Sequence, residues 1–554
     1  MYLNNEIGRI LTKIFIYCYY REYVMTFYSE ITDLILTKKI ESKEELHRKK
    51  IELCKKYKLD TVPPDSEILA RIPPDLSDKE MEIAVSILRR KSMRTISGVA
   101  IVAVMTSPEE CPHGRCIPCP GGPSNNTPQS YTGYEPAAMR ASLNDFDPYL
   151  QTMSRLKQLE TIGHSINKID LILMGGTFTS RTPFYQEWFV KRCFDALSNK
   201  ESSTLEMAKK INETAKSRCI GLTVETRPDW FRLQHADQAL GLGATRVELG
   251  VQTVFDDILY KMKRGHTVMD SIYATRIAKE SGFKVCYHMM PGLPGSDEKK
   301  DIEAFQTIFE NPLFKPDMLK IYPTLTVKGT QLYDLWKSKK YRPLTTEKAS
   351  SLIATIKSLV PEWVRIQRIQ RDIPAQYIDA GVKKSNLRQL INKEMQKKNL
   401  ECRCIRCREI GHRSTKQDIR VNEEDISFNC SYYNASDGEE IFISLVEQKN
   451  DALIAYLRLR DINNSHRFEL YKQPCMIIRE LKVLGRELAF GQRTKKGLQH
   501  KGYGKELINE AERICAEEFD KKHLFILSGI GVKDYYRKLG FRDNGLYLYK
   551  SLSS

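Results

Sequence analysis

The sequence has little of what marks a membrane-spanning, secreted or disordered protein. Its most apolar early stretch, Ile10–Tyr20, has about half of the ~20 residues that a membrane-spanning helix needs, and Lys13 interrupts it. The cysteines form no disulfide framework and there is no secretory cleavage pattern, so we expect a reducing, cytoplasmic location without a membrane partner. A composition of 41% hydrophobic and 28% charged residues argues against a disordered or fibrous chain.

Size and charge set the next bounds. At 554 residues the chain exceeds what one hydrophobic core usually serves, so we expect two large domains with smaller attachments. Lys and Arg number 87 against 70 for Asp and Glu, and the resulting net charge of +17 attracts polyanions, of which RNA is the leading candidate. A solvated lysine-rich surface gives the same balance, so charge alone does not decide between these interpretations.

Pattern changes along the chain predict four segments. We expect a helical, basic region at 1–94 that is a candidate for binding nucleic acid, a strand–helix domain at 95–382, a linker at 383–420 and a separate α+β domain at 421–554. In the second segment, short apolar runs alternate with helical patterns. This α/β alternation predicts a parallel sheet, either doubly wound or a full or partial barrel, with its chemistry at the carboxyl ends of the strands.

Basic residues cluster in the first segment, at Arg48, Lys49, Lys50, Lys55, Lys56 and Lys58. A nucleic-acid-binding helical face is one interpretation. An ordinary solvated face is the other, and the segment alone favours it.

The first cysteine motif follows the first predicted strand, Gly98–Met105. Cys111, Cys116 and Cys119 can ligate three irons of a four-iron cluster, which leaves the fourth iron open to a small chelating ligand. A zinc knuckle that adds His113 is the competing metal site. The position at the head of the strand–helix units favours the cluster. A glycine-rich turn, Gly175, Gly176 and Thr177, follows the next predicted strand.

A glycine loop marks the last segment. It reads Q-x-x-G-x-G, from Gln499 to Gly504, and precedes a predicted helix whose amino end suits a pyrophosphate. A predicted strand with Arg479–Val483 comes before the loop, and a Y-x-x-x-G-F segment from Tyr536 comes after it. This order resembles the Gcn5-related acetyltransferases and implies acetyl-CoA.

The motifs together resemble the catalytic third subunit of Elongator and its stand-alone archaeal and bacterial relatives. Besides the motifs above, the segments that carry the resemblance are Pro128–Pro136, Val224–Asp229, Glu248–Thr253, Arg264–Thr267, Met290–Gly295 and Lys320–Thr324. The resemblance implies a partial (β/α) barrel of the radical S-adenosylmethionine (SAM) type, followed by a Gcn5-related acetyltransferase domain. It also implies an acyltransferase that uses a [4Fe-4S] cluster, SAM, acetyl-CoA and zinc.

The family's activity, carried over, is tRNA modification. Acetyl-CoA supplies a two-carbon unit that ends as a carboxymethyl group on carbon 5 of the wobble uridine, after a deoxyadenosyl radical has taken hydrogen from the acetyl methyl group. The rival is a histone-type lysine acetyltransferase in which the iron–sulfur domain is only structural. The electron donor stays open, as does the choice between a homodimer and Elongator-like partner subunits.

The resemblance also implies roles for single residues. Those expected to bind acetyl-CoA are Lys168, Glu480, Leu481, Lys482, Val483, Gln499, His500, Lys501, Gly502, Tyr503 and Gly504. Tyr536, supported by Tyr535, is expected to be catalytic at the thioester, and Gly175, Gly176, Thr177 and Lys320 are expected to contact SAM. A second cysteine group, Cys402, Cys404 and Cys407, is expected to hold zinc, with His412 or Cys430 as the fourth ligand.

Overall fold

The computed structural model describes residues 27–73, 75–89, 95, 97–417, 421–485 and 501–552. The predictions on Ile10–Tyr20, Gln499 and His500 lie outside these residues. The chain divides into two compact units, one of Met1–Thr95 with Arg155–Ile166 and one of Ile96–Ser154 with Asn167–Ser554. Within the described ranges, none of the helices combines the length and apolar character needed to cross a membrane.

The helices are α1 (27–36), α2 (Lys43–Lys56), α3 (Asp65–Ala70), α4 (Asp78–Leu88), α5 (Pro136–Ser142), α6 (Pro148–Thr161), α7 (Pro183–Ser198), α8 (Leu205–Asn212), α9 (Leu233–Gly241), α10 (Asp256–Lys261), α11 (Val268–Glu280), α12 (Glu298–Glu310), α13 (Gln331–Lys337), α14 (Thr346–Ser358), α15 (Leu387–Lys397), α16 (Ile405–Arg408), α17 (Ile410–Gln417), α18 (Tyr503–Arg513) and α19 (Lys533–Arg537). The strands are β1 (Val99–Met105), β2 (Lys168–Met174), β3 (Arg218–Thr226), β4 (Arg246–Gln252), β5 (Lys284–Met289), β6 (Met318–Ile321), β7 (Arg365–Arg368), β8 (Ile426–Ala435), β9 (Gly438–Glu447), β10 (Ala452–Asp461), β11 (Cys475–Val483), β12 (His523–Ile526), β13 (Arg542–Asn544) and β14 (Tyr547–Ser551).

Local sequence signals explain where many elements begin. α2 begins after Ser42, whose hydroxyl accepts a hydrogen bond from the backbone of Glu45, and the Glu45 carboxylate accepts one in return. α11 begins in the same way after Thr267, with Asp270 in the reciprocal position. β1 is the apolar run VAIVAVM, which is typical of a parallel strand, although one face of this edge strand is only partly covered and leaves Ile101 46% exposed.

The first sheet forms the barrel. Its seven strands, β1 to β7, lie in sequence order and every neighbouring pair is parallel. β1 and β7 are the edge strands, so the barrel is partial, and helices fill the crossovers. Because all strands run the same way, the loops that follow them meet at one end. The predicted partial barrel is confirmed.

The second sheet has the acetyltransferase pattern, in the order β13-β14-β12-β11-β10-β9-β8. β11 pairs antiparallel with β10 along most of its length, up to Val483. Its parallel pairing with β12 ends at Ile478, so the two strands splay apart beyond that residue. The backbone of Arg479–Val483 therefore faces a wedge between the strands on that side. The predicted acetyltransferase domain is confirmed.

The second sheet packs on the amino end of the barrel. Arg479 of β11 donates to the Phe283 carbonyl at 2.7 Å and to the Asp317 carboxylate at 2.6 Å, and both acceptors directly precede barrel strands. A Cβ on Gly529, just after β12, would lie 2.1 Å from the Ile220 carbonyl oxygen, so the backbones touch there. This packing leaves the carboxyl ends of the barrel strands free for a separate site.

Candidate functional site

The three cysteines of the first motif line one cavity at the carboxyl ends of the barrel strands. The cavity has a volume of about 150 Å³, and Cys111, Cys116 and Cys119 all contribute to its wall. The loop is fixed by its own backbone: the Cys111 N–H donates to Gln129 Oε1 at 3.1 Å, and the Ser130 N–H donates to Cys119 Sγ at 3.3 Å. The cysteines are therefore held in place by the fold.

The spacing of the thiols distinguishes a cluster from a single metal ion. Tetrahedral zinc, with Zn–S distances of about 2.3 Å, needs its sulfur ligands within about 4 Å of one another. Among the described residues, two groups bring three ligand atoms within 4.8 Å of one another, and Cys111, Cys116 and Cys119 do not form one of them. The wider spacing fits a four-iron cluster and argues against the zinc knuckle.

Cations beside the cysteines fit a group that carries negative charge. Arg264 donates to Cys116 Sγ at 3.5 Å, and its buried Nε has no protein partner in the described residues. Burial, followed by the charges of Arg227 and Arg264, lowers the pKa of His113 to about 3. His113 is therefore neutral, with Nε2 2.9 Å from Cys116 Sγ. Arg227, which pairs with Asp229 at 2.7 Å, lines the same cavity as Arg264 and the three cysteines, and positive charge there suits a bound [4Fe-4S] cluster.

The glycine turn lies against the cysteine loop. Gly175 has φ +142°, and a Cβ there would lie 1.9 Å from Thr106 Oγ1. A Cβ on Gly176, at φ +87°, would lie 3.6 Å from Cys111 Sγ, and Thr177 Oγ1 lies 3.5 Å from the same sulfur. Gly176 and Thr177 also line the cavity. A side chain at either glycine would disturb the wall that faces a cluster ligand.

A polar chain in the same cavity wall was missed by the sequence analysis. The Tyr131 hydroxyl donates to Glu225 at 2.5 Å, and His288 lies between Glu225, at 3.6 Å, and Glu248, at 2.9 Å. Lys320, predicted to contact SAM, instead pairs with the buried Glu248 and is not among the described residues that line the cavity. Glu225 and His288 lie at the carboxyl ends of β3 and β5. Sites in parallel sheets form at these ends, so the position of the two residues in the sequence could have identified them as candidates.

Predicted acetyl-CoA residues among those that the structure describes lie at the opposite end of the barrel. Glu480 and Lys482 lie on β11 beyond the point where β12 departs. Burial lowers the pKa of Lys482, as does nearby Arg365, whereas Glu409, Glu480 and then Asp170 of β2 raise it. Lys168 begins β2 two residues before Asp170, so the two share a strand face.

The tyrosine pair borders the same site. Tyr536 is buried, and burial, followed by Tyr535 and Glu480, raises the pKa of its hydroxyl, which places the ring near β11. Tyr535 is 42% exposed, and a Cβ on Gly504 would lie 2.5 Å from its hydroxyl oxygen. Tyr535 therefore lies over the glycine loop, whereas Tyr536 faces the splayed strand. Lys501, Gly502 and Tyr503 are described with Gly504, and they lead into α18.

The second cysteine group does converge. The sulfurs of Cys402, Cys404 and Cys407 lie within 4.8 Å of one another, which suits a single tetrahedral ion. Neither His412 nor Cys430 joins them among the described residues, and His412 Nε2 lies 3.8 Å from Glu409. The three thiols fit zinc by number and spacing. The identity of the metal and the fourth ligand stay predictions.

The basic residues of α2 and of the turn that follows it divide into two sets. Lys50 is buried and pairs with Asp65 at 2.8 Å, while Lys49 and Lys56 pair with glutamates at 2.7 Å. Arg48, Lys55 and Lys58 are exposed, and the described residues place no ion-pair partner within 4 Å of them. The second set is the better candidate for RNA phosphates.

β2 runs from one candidate site to the other, so its length gives the distance between them. It begins at Lys168, which is predicted to bind acetyl-CoA, and Gly175, which is predicted to contact SAM, directly follows its end. Seven residues at ~3.3 Å per residue separate Lys168 from Gly175 by about 23 Å. The two sites therefore occupy opposite ends of one barrel.

Comparison with known proteins gives consistent matches along most of the chain, from residue 24 to residue 541. Four family models match consecutive parts: the ELP3 N-terminal domain at 24–96, the radical SAM superfamily at 109–308, the radical SAM C-terminal domain at 316–397 and the acetyltransferase (GNAT) family at 409–541.

Similar proteins come from archaea and eukaryotes. The tRNA uridine(34) acetyltransferase of Methanocaldococcus jannaschii is 53% identical, over 88% of this chain and 90% of that protein. Elongator complex protein 3 of Schizosaccharomyces pombe is 41% identical, over 94% and 97% respectively. The solved structure of the archaeal Methanocaldococcus infernus Elp3 with an N-terminal deletion (1–46) is 50% identical. It covers 83% of this chain and 100% of its own, with a TM-score of 0.74.

Proposed function

Because the chain belongs to the Elongator complex protein 3 family, we propose that this acyltransferase modifies the wobble uridine of tRNA anticodons. The proposed product carries a carboxymethyl group on carbon 5, and its two carbons come from acetyl-CoA. Carbon 5 of uridine is a weak nucleophile, so ordinary acyl transfer does not reach it. When bound, the cluster and SAM would supply a 5′-deoxyadenosyl radical that can take hydrogen from the acetyl methyl group, so that the resulting carbon radical can add to carbon 5.

One observation carries the proposal: a single chain holds both a cavity lined by three cysteines and a splayed acetyltransferase strand. A lysine acetyltransferase needs only the second of these. The cavity has the features of a reaction site, since its largely apolar wall carries a few convergent polar side chains, among them Glu225, His288, Arg227 and Arg264. A purely structural iron–sulfur domain needs no such cavity.

At the SAM end, we propose that the chain's own residues bind and orient. Cys111, Cys116 and Cys119 hold three irons, and the Gly175–Gly176 backbone approaches the amino group of SAM. Arg227 and Arg264 offset the charge of the thiolates. The chain from Tyr131 through Glu225 to His288 is suited to exchange a proton with a bound base.

At the acetyl-CoA end, we propose that the loop before α18 binds the pyrophosphate and that Tyr536 serves the thioester. A phenol hydroxyl at the point where β11 and β12 diverge can donate a hydrogen bond to the sulfur that leaves as a thiolate. Lys168 is proposed to contact acetyl-CoA from the barrel side. Since about 23 Å separates the ends of β2, the acetyl unit must move between the sites before it meets the base.

The metal, the location and the electron donor are also proposals. We propose zinc at Cys402, Cys404 and Cys407, a cytoplasmic location, and an external electron donor that delivers one electron to the cluster. The enzyme is proposed to act without Elongator subunits, as its archaeal relatives carry a stand-alone enzyme name.

The test is an anaerobic incubation of the reconstituted protein with tRNA, SAM, a reductant and carbon-labelled acetyl-CoA. We expect labelled 5-carboxymethyluridine at the wobble position after nucleoside digestion, and faster acetyl-CoA hydrolysis with tRNA than with a lysine-rich peptide. Labelled acetyl-lysine in the peptide and unlabelled tRNA would support the histone-type rival and contradict the proposal.

A further inference from the structure

Two tyrosines stack face to face beside the SAM cavity. The rings of Tyr134 and Tyr377 are parallel to within 4°, with centroids 3.5 Å apart. Such a direct sandwich of two like rings is less favourable than an offset or edge-to-face pair, because their quadrupoles repel. Tyr134 is nevertheless 45% exposed, so the pair does not serve to fill a core.

The pair lies beside two segments that line the cavity. Tyr131 and Glu135, on either side of Tyr134 in sequence, both line the cavity, and so do Arg371 and Asp372, which precede Tyr377. Arg371 joins the two segments, since its guanidinium donates to the Ser130 carbonyl and lies 3.7 Å from Glu135. The two rings are therefore held together by a clamp that is itself part of the cavity wall.

The surroundings suit a nucleotide. A flat ring with one face covered and the other open can stack on any base, and such contacts are tolerant of sequence. Arg368 lies in the same cavity wall with its side chain 43% exposed; it pairs with Asp372 at 2.7 Å, and its remaining N–H groups can meet a phosphate. An aromatic face next to a guanidinium is the usual composition of a site for single-stranded RNA.

We propose that Tyr134 and Tyr377 form a stacking platform for the unpaired nucleotide next to the wobble uridine. The inference rests on the proposed function. A base that enters the cavity must leave its stack, and its neighbour in the anticodon loop then loses a stacking partner. The platform supplies a replacement surface beside the cavity and fixes which nucleotide of the loop enters.

The test uses a synthetic anticodon stem-loop RNA with 2-aminopurine at position 33 or at position 35. Binding to the wild-type protein should quench one of the two probes, since stacking on an aromatic ring quenches this base. Tyr134→Leu and Tyr377→Leu should each abolish the quenching and weaken RNA binding about tenfold or more. Tyr134→Phe should keep the quenching and the RNA affinity, because it keeps the aromatic ring.

A matched control is Tyr471→Leu, because Tyr471 is 53% exposed and lies in the acetyltransferase domain. The Tyr471→Leu protein should bind the RNA and quench the 2-aminopurine probe as the wild type does. If neither probe is quenched by the wild type, or if both leucine variants quench normally, the platform is wrong. Wild-type formation of carboxymethyluridine in the same preparation would show that the proposed function survives that failure. Quenching without any uridine modification would uphold the platform as an RNA site and overturn the proposed function.

Discussion

At the scale of single residues, each cysteine of the first motif is expected to supply one thiolate to one iron. Changing Cys111 to Ser removes a sulfur ligand and leaves the loop bonds to Gln129 in place, since the backbone makes them. We expect the Cys111→Ser protein to lose the brown absorbance of the cluster and SAM cleavage while keeping its circular dichroism spectrum. Iron content and 5′-deoxyadenosine formation are the measurements.

The matched control is Cys54→Ser, because Cys54 is buried in the N-terminal unit and bonds only loosely, to the Thr61 carbonyl at 4.0 Å. We expect the Cys54→Ser protein to keep an intact cluster. Normal iron content and SAM cleavage in Cys111→Ser, Cys116→Ser and Cys119→Ser alike would show that the radical assignment is wrong.

The tyrosine pair allows a test that removes only one oxygen atom. Tyr536→Phe should keep acetyl-CoA binding, because the ring still packs, while tRNA-stimulated hydrolysis of acetyl-CoA falls about 10²-fold or more, the usual size of an acid–base contribution. The buried position of Tyr536 beside Glu480 supports this assignment. Tyr535→Phe is the neighbouring control, with an expected loss below about tenfold. The reverse order of losses would assign the catalytic role to Tyr535.

At the scale of elements, β2 offers two substitutions on one strand with separate consequences. Lys168→Ala, at its amino end, should weaken acetyl-CoA binding and leave SAM cleavage unchanged, because the two sites lie about 23 Å apart. Gly175→Ala, just past its carboxyl end, should impair SAM cleavage, since the new Cβ would overlap Thr106. Calorimetric titration with acetyl-CoA and assay of 5′-deoxyadenosine separate the two effects. Unchanged acetyl-CoA affinity in Lys168→Ala would make Lys168 an ordinary surface residue.

Helix α2 carries a second element-scale prediction. Replacing the unpaired set Arg48, Lys55 and Lys58 with Gln should weaken tRNA binding and lower the slope of log affinity against log salt, by about one for each phosphate that is no longer neutralised. Replacing Lys49 and Lys56, which already pair with glutamates, should change the slope less. Binding over a salt series is the measurement. Equal slopes for all variants would place the tRNA-binding surface away from α2.

Most barrel elements could be predicted from the sequence because apolar runs and helical patterns alternate without ambiguity there. The Gly98–Met105 prediction, for example, differs from β1 by one residue. β8, β13 and β14 were not predicted. β8 is an edge strand that carries Phe428 and Tyr432 at exposed positions, so its sequence lacks the regular apolar–polar alternation that would have indicated a strand.

The candidate site was predictable where a motif is local and unpredictable where it is assembled from distant strands. The cysteine and glycine motifs could be found because their spacing in sequence carries the chemistry. Glu225, His288 and Tyr131 come from separate segments, and nothing in the sequence indicates that they touch. For Lys320 the reverse holds: the resemblance predicted that it contacts SAM, but its nearest partner is Glu248.

At the scale of the whole molecule, the two catalytic domains share a buried ionic network. Arg479 of the acetyltransferase sheet bonds Asp317 of the barrel at 2.6 Å and Glu440 at 2.5 Å, and Lys279 of α11 lies 3.2 Å from Glu440. Arg479, Asp317, Glu440 and Lys279 are fully buried. Burial alone would raise the pKa of the Asp317 carboxyl, but Arg479, Lys279 and Arg458 hold it well below its usual range. Each of these buried charges is therefore stabilised by an opposite charge from the other domain.

This dependence predicts that the two domains unfold together. Arg479→Met would leave Asp317 and Glu440 buried without their main counter-charge, which typically costs about 3–5 kcal/mol. The control is Arg276→Met at the same boundary, because Arg276 pairs with Asp437 at 3.3 Å while both side chains are largely exposed, and such pairs contribute about 0–1 kcal/mol. Differential scanning calorimetry should show one main transition for this unit in the wild type and in Arg276→Met. In Arg479→Met, the transition should shift to lower temperature and separate into two. If Arg479→Met instead unfolds like the wild type, then apolar packing, and not the ionic network, holds the acetyltransferase domain on the barrel.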